Sequence, residues 1–399
     1  MNKKLQEVLS FVGKKLKAES APRPMSQFPQ LSVEVVTTGS IILDRALGRG
    51  GWPRGHFVEL IGNEGVGKTT LCYHAIAEFQ KQGLLCALID AEHRADPQYA
   101  KALGVDLDNL IFLQPMKGED AWEAIRQYAK SGKVDLVILD SIDAARPEVE
   151  GENDFDSSNI GRHAKLTGNG MRQASILRGI GNMCCIFTNQ IRQNPAAMGD
   201  PNVTPGGNAA KFYCSIRVSL KRKGTNKDKA EQSVSNTVQL KTSKNSIAPP
   251  YKEGEFDLVF GKGIDKLADA LNAGVASGII TKKGSFYSFT YAEKNVKLGQ
   301  GEDAAKLWLS QGERLEKITI LIRKSQWFLE GIGDFKPREQ AVSQEDSEEQ
   351  SGEDAEVLQD GGGSQEGSST NDVRSMREYF LSMQPRPASP EGEDGDEAL

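Results

Sequence analysis

The sequence predicts an α/β protein: a mainly parallel, twisted sheet built around a phosphate-binding loop, then a small α+β domain and a disordered acidic tail. Three observations carry this. Gly62 to Thr70 reads Gly-Asn-Glu-Gly-Val-Gly-Lys-Thr-Thr, which fits Gly, four residues, Gly-Lys-Thr. Near-continuous apolar runs alternate with helical patterns, as strands covered on both faces do. Beyond Phe335 the chain turns to Glu, Asp, Gly and Ser, a composition that cannot bury a core.

The loop's residue types each answer a need. Gly62 and Gly67 let the backbone turn so that successive N–H groups aim at one anion. Lys68 brings a charge to the β- and γ-phosphates, and Thr69 offers a hydroxyl to Mg²⁺. Phe57 to Ile61 reads as a buried strand and Thr69 to Gln82 as a helix whose N-terminus adds to the anion site. Asn63, Glu64, Gly65, Val66 and Thr70 complete the candidate ATP-binding loop.

With 399 residues the chain has room for two or three domains. No apolar run approaches the ~20 residues of a membrane span. Five cysteines fall within helix or strand patterns without metal-ligand spacing, favouring packed, reduced thiols in a cytoplasm. The net charge of −6 hides a segregation: Asp334 to Leu399 holds 18 acidic and 5 basic residues, which leaves the body near +7. A basic body with an acidic tail fits a nucleic-acid binder with a built-in electrostatic competitor, and equally a solubilising tail.

In order along the chain, residues 3–18 read as one amphipathic helix with Leu5, Val8, Leu9, Val12 and Leu16 on one face. It packs either on its own domain or on a neighbouring subunit. Thr37-Thr38-Gly39-Ser40 caps a helix through Ile41 to Leu47. Strands are expected at Leu84–Asp90, Leu110–Leu113, Leu136–Asp140, Cys184–Gln190 and Phe212–Lys221. Helices are expected at Asp96–Leu103, Gly118–Ser131 and, weakened by Gly168 and Gly170, Ala164–Asn182. Two long loops, about 147–162 and 192–207, follow strand ends on the side where such sheets bind ligands. From about Gly263 to Glu330 short helices surround a small strand pair. The domains are thus 1–30 (helix and linker), 31–262 (core), 263–332 (small α+β domain) and 333–399 (tail). Val373 to Met383 alone in the tail has an amphipathic pattern, read as coil or as a partner-binding helix.

Hydrolysis needs more than a phosphate cradle. Asp140, ending an apolar strand, is placed to hold Mg²⁺ through its water shell. Glu92, just past the strand that ends at Asp90, is a candidate to activate water, or a solvated loop carboxylate. Gln190 either senses a γ-phosphate or caps its strand, and His93 reads as a packing or hydrogen-bonding histidine rather than a catalytic one. The basic stretch Arg217 to Lys229 fits phosphate contacts or a solvated hairpin, with no aromatic interleaved to stack bases.

Taken together, these motifs resemble the bacterial- or phage-type RecA-family recombinases along nearly the whole folded length. The matching stretches are Thr38-Gly39-Ser40, Leu43-Asp44, Ala46-Leu47-Gly48, the phosphate loop, Asp90-Ala91-Glu92-His93 and Asp96-Pro97 with Tyr99-Ala100. They continue with Leu139-Asp140-Ser141, Asn189-Gln190-Ile191-Arg192, Gly206-Gly207-Asn208-Ala209, Lys211-Phe212-Tyr213, Lys244-Asn245 and Ile247-Ala248. The resemblance implies a RecA-like core, ATP and Mg²⁺ as cofactors, and a helical homo-oligomeric filament on single-stranded DNA that pairs a homologous duplex. It implies that Glu92 polarises water with Lys68 and Gln190 at the γ-phosphate, that Asp96 and Tyr99 contact adenine, and that Lys244 reaches a neighbour's ATP. It further implies that the two long loops bind DNA, with Lys165, Arg172, Arg192, Gly206, Gly207 and Asn208 at or beside the DNA backbone. The N-terminal helix would then dock on the adjacent protomer, and the small domain would gather duplex. Single-strand-binding, loader and repressor proteins are further partners on this reading, with stimulation of repressor self-cleavage a second role and no membrane involved. Lys244-Asn245-Ser246 departs from the frequent Lys-Asn-Lys, and Gly168 and Gly170 stand where bulkier residues are expected. A RecA-fold motor or accessory ATPase, or a DNA-binding regulatory filament with weak ATPase, are the competing functions.

Overall fold

The computed structural model describes residues 2–16, 21–27, 33–148, 159–177, 180–193, 202–227, 230–291 and 294–332. The expectations for the acidic tail, for Val373 to Met383 and for most of both long loops lie outside the described residues. Helix α1 (Lys3–Gly13) starts where the Asn2 side chain accepts from Lys4 N. None of its residues is buried, and Leu5, Val8 and Phe11 are exposed. A two-residue ribbon, β1 (Val35–Val36) with β2 (Trp52–Pro53), encloses α2 (Ile41–Leu47), which Ser40 caps by accepting from Leu43 N.

The main sheet is built from β3 (Phe57–Gly62), β4 (Cys86–Asp90), β5 (Leu110–Leu113), β6 (Leu136–Asp140) and β7 (Cys184–Asn189), all parallel. A short ribbon, β8 (Arg192–Gln193) with β9 (Asn202–Val203), follows β7. The sheet then gains β10 (Ile216–Lys227), parallel to β3, and the antiparallel β11 (Ser233–Asn245), β12 (Glu253–Val259) and β13 (Gly263–Ile264). Its order is β13-β12-β11-β10-β3-β7-β6-β4-β5. The crossovers bring the carboxyl ends of β3, β4, β6 and β7 to one edge, where ligands of such sheets bind.

Helices α3 (Lys68–Gln80) and α4 (Pro97–Ala102) pack on one face. Helices α5 (Gly118–Ser131), α6 (Asn159–Leu177) and α7 (Ala209–Tyr213) cover the other. All five cysteines are buried, as their position in apolar elements implied. The small domain comprises α8 (Lys266–Ala276), β14 (Ile280–Lys283), β15 (Phe286–Tyr291), β16 (Lys294–Gln300), α9 (Glu302–Leu309), α10 (Arg314–Lys324) and α11 (Gln326–Ile332).

Several expectations are corrected. The expected strand Phe212–Lys221 is the last part of α7 followed by β10, because Asn208 starts a helical turn before the chain extends. The strand pair of the small domain is a three-stranded antiparallel sheet. Helix α6 begins at Asn159, shortening the first loop, and ends at Leu177, five residues before the expected Asn182. Gly168 and Gly170 do not break it. At Gly170 a Cβ would lie 2.3 Å from Trp122 Cδ2, so the absent side chain lets the ring lie against the helix. Arg217 is no solvated phosphate contact, since its Nε donates to the buried Glu59 carboxylate.

The small domain is clasped to α2 by buried polar groups. Ser40 Oγ donates to Asp269 at 2.6 Å and Ile41 N at 2.5 Å. Arg323 pairs with buried Asp44, and the Arg45 guanidinium lies 4.3 Å from the centre of the Trp327 ring. Burial pushes the Asp269 carboxyl up to about 7.

Candidate functional site

A cavity of about 270 Å³ lies where the phosphate loop leaves β3. Lys68, Thr69, Glu92, Asp140 and Gln190, drawn from α3, the loop after β4 and the ends of β6 and β7, all line it. Their convergence follows from strand order: Asp90 and Asp140 face each other in the β4–β6 register, and Thr188 and Asn189 end the adjoining β7. Glycine carries the turns, with Gly65 at φ 70° and Gly67 at φ 98°. Val66 instead packs into the core.

Lys68 Nζ donates to the carbonyls of Gly62 (2.8 Å) and Asn63 (2.9 Å). Burial holds its pKa below the ordinary lysine value, with Asp140 and Glu92 opposing. Thr69 Oγ1 donates to Asp140 Oδ2 at 2.6 Å, and Thr188 Oγ1 donates to the other oxygen. Burial pushes the Asp140 carboxyl up against those two hydrogen bonds. A buried cation disfavoured as a cation and a buried acid disfavoured as an anion are both relieved by a bound phosphate and a bound divalent metal. Among the described residues no three His, Cys, Asp or Glu side chains form a metal cage. The hydroxyl–carboxylate pair of Thr69 and Asp140 fits Mg²⁺, which keeps several waters and takes phosphate oxygens.

Glu92 stands on the wall with one oxygen accepting from buried Ser141 Oγ at 2.6 Å. The Asp140–Ser141 peptide is cis. Arg94 Nη1 sits 3.9 Å from the other Glu92 oxygen and 3.1 Å from Glu64 Oε1, joining the water-activating candidate to the phosphate loop. Arg94, Ser141, Thr188 and Tyr73 were not singled out from the sequence. A cation two residues after Glu92 is the signal for Arg94, and the Leu139-Asp140-Ser141 stretch that for Ser141. His93 is a hydrogen-bonding histidine as expected, its Nε2 3.0 Å from the Pro115 carbonyl.

Asp96 and Tyr99 do not line the phosphate cavity. Asp96 caps α4, accepting from Gln98 N and Tyr99 N, and Tyr99 OH is 3.1 Å from Thr70 Oγ1. Tyr73, which does line the cavity, stacks edge-on with Tyr99 at 5.9 Å, so the two residues flank the site one layer out. Lys244 is also absent from this protomer's cavity. Its Nζ donates to the carbonyls of Lys211 (2.6 Å) and Phe212 (3.1 Å) at the end of α7.

The described end of the second long loop lies against Ile142, just after β6, and against α6. Gly206 (φ 83°) approaches so closely that a Cβ would lie 2.8 Å from Ile142, and at Gly207 (φ 71°) 2.8 Å from Ala164 of α6. Arg192 grips Asp143 with both Nη2 contacts under 3 Å, at 2.9 and 2.7 Å. Lys165 and Arg172 are exposed on α6, and Asn208 is exposed at the start of α7. Among the described residues no helix is long and apolar enough to cross a membrane.

The chain matches the family model described as the RecA N-terminal domain over residues 3–265 and that of the RecA C-terminal domain over 268–325. It is 41% identical over 308 residues to Protein RecA of Cereibacter sphaeroides, covering 77% of this chain and 88% of that protein. Protein RecA of Sulfurovum sp. is 42% identical (75% and 86% covered), and that of Porphyromonas gingivalis 43% (73% and 85%). Nucleotide and Mg²⁺ use, single-stranded DNA binding and homo-oligomeric filaments belong to this family in general. With the phosphate cavity and a recombinase-type domain on each side of residue 266, the chain belongs to the RecA family and is a DNA-dependent ATPase of homologous recombination and DNA repair.

Proposed function

We propose that this chain polymerises with ATP on single-stranded DNA in the cytoplasm, pairs the bound strand with a homologous duplex, and loosens on hydrolysis. The observation that carries it is the meeting of Lys68, Glu92, Asp140 and Gln190 in one cavity, with Asn189, next to Gln190, bonded to Pro205 at the end of the second long loop. Lys68 and the loop N–H groups hold the β- and γ-phosphates, and Thr69 with Asp140 holds Mg²⁺. Mg²⁺ supplies neutralisation of charge on the transferring phosphoryl group. Glu92, fixed by Ser141, orients and polarises the attacking water. Gln190 lines the cavity and is bonded through Asn189 to Pro205 of the second loop, so it passes the nucleotide state to the DNA surface. Asp96 and Tyr99 bound the adenine side.

Lys244 acts on the neighbouring protomer's nucleotide, because it stands outside its own cavity on a strand end beside α7. Helix α1 docks on the adjacent protomer, because it buries none of its residues within this one. Lys165, Arg172, Arg192, Gly206, Gly207 and Asn208 hold the DNA backbone; such contacts carry no sequence information and make binding salt-dependent. Single-strand-binding or loader proteins, and a repressor whose self-cleavage the filament stimulates, are the further partners.

The test is ATP hydrolysis with and without single-stranded DNA, beside Glu92→Ala. Strong stimulation by DNA that drops about a hundredfold or more in the variant is expected of a general base. Hydrolysis indifferent to DNA overturns the proposal in favour of another RecA-fold motor.

A further inference from the structure

Glu59 is fully buried on β3, and the chemistry above makes no use of it. A carboxylate at that depth persists only with matched partners, and its two partners come from different elements. Asn189 Nδ2 donates to Oε1 at 2.9 Å and Arg217 Nε to Oε2 at 2.5 Å. Asn189, itself buried, joins three parts of the molecule. Besides Glu59, its Nδ2 donates to the Pro205 carbonyl at 3.1 Å, and its Oδ1 accepts from Gln190 N at 3.0 Å. Pro205 precedes Gly206 at the end of the second long loop. On the other side, Arg217 is registered opposite Lys244 in the β10–β11 ladder.

We propose that Glu59 is a positioning residue. Through Asn189 it fixes the backbone of Gln190 and the Pro205 end of the second loop, and through Arg217 it ties both to the hairpin that carries Lys244. One buried carboxylate thus makes the γ-phosphate side, the DNA loop and the inter-protomer strand a single mechanical unit. Packed polar networks with every member satisfied hold such units in one arrangement. Coupling between the nucleotide and DNA sites is reciprocal, so loosening the unit weakens it in both directions. The inference rests on the function proposed above.

The test compares full-length wild type with Glu59→Gln for ATP affinity without DNA and for hydrolysis with and without a poly-dT oligonucleotide. The amide keeps the shape but sets an N–H₂ group against a second donor. Expected are DNA-free hydrolysis and ATP affinity within about twofold of wild type, with stimulation by DNA down about tenfold in kcat at nearly constant KM. Should Glu59→Gln fail to fold, Asn189→Ser leaves the Glu59–Arg217 pair intact, removes both amide donations, and should show the same loss. Wild-type stimulation in folded variants, or a rise in KM at unchanged kcat, overturns the inference alone. A wild type that DNA does not stimulate overturns the proposed function and this inference together.

Discussion

Alanine at Gly168 and at Gly170, two residues apart in one helix, should stabilise the protein at the first position and not at the second. A glycine inside a helix costs about 1 kcal/mol relative to alanine. At Gly168 a Cβ would meet only Ala209 Cβ at 3.9 Å, an ordinary contact, so Gly168→Ala should collect that gain. At Gly170 a Cβ would fall 2.3, 2.5 and 2.6 Å from Cδ2, Cε3 and Cγ of Trp122. That ring is buried and tilted against Phe187 with centroids 5.8 Å apart, so it has nowhere to move cheaply. Overpacking of this kind costs about 1–3 kcal/mol. The helix-propensity term is the same at both sites and cancels between them. The two variants should therefore differ by the clash alone, about 1–3 kcal/mol, or roughly 1–4 °C in Tm for a chain of this size. Urea denaturation followed by circular dichroism measures the difference, and tryptophan emission reports whether Trp122 has moved. Equal stability of the two variants with unchanged emission refutes the packing argument.

Other consequences can be checked independently. Asp269 has a folded pKa of about 7, above its unfolded value of 3.8. Its contribution is complete at acid pH and is lost as pH rises through the folded value, by up to about 3 kcal/mol between about pH 5 and 7. Asp269→Asn should flatten the Tm profile over that window; a profile parallel to wild type refutes this. If Lys244 acts in trans, a mixture of Lys244→Ala and Glu92→Ala proteins should regain about a quarter of wild-type hydrolysis through the one interface in four that is intact on both sides. A mixture as inactive as its components excludes it. Deleting residues 336–399 should tighten single-stranded DNA binding at low salt, with the gain shrinking as salt is added; an unchanged affinity removes the tail as a competitor for the basic body.

The sequence by itself determined the α/β class, the phosphate loop, the acid at the end of β6 and the burial of the cysteines. Each is written in a local pattern: a spacing of glycines before Gly-Lys-Thr, or an apolar run long enough for one strand. Helix α5 appears with the expected limits, Gly118 to Ser131, for the same reason. Residues 216–221 form the expected strand, but Phe212 and Tyr213 close a helix instead, because short apolar runs do not distinguish a helical turn from a strand and the packing of Ala210 in the core under α6 decides. Gly170 only weakens the helical pattern in the sequence, and its reason is the Trp122 ring, from another helix, that lies against it. Only the tertiary structure decided that Arg217 faces Glu59, 158 residues away, and that Ser141 and Arg94 hold Glu92 between them. Strand order sets such partnerships, and it is fixed by which apolar faces pack together across the whole chain, a choice that no single stretch of sequence encodes.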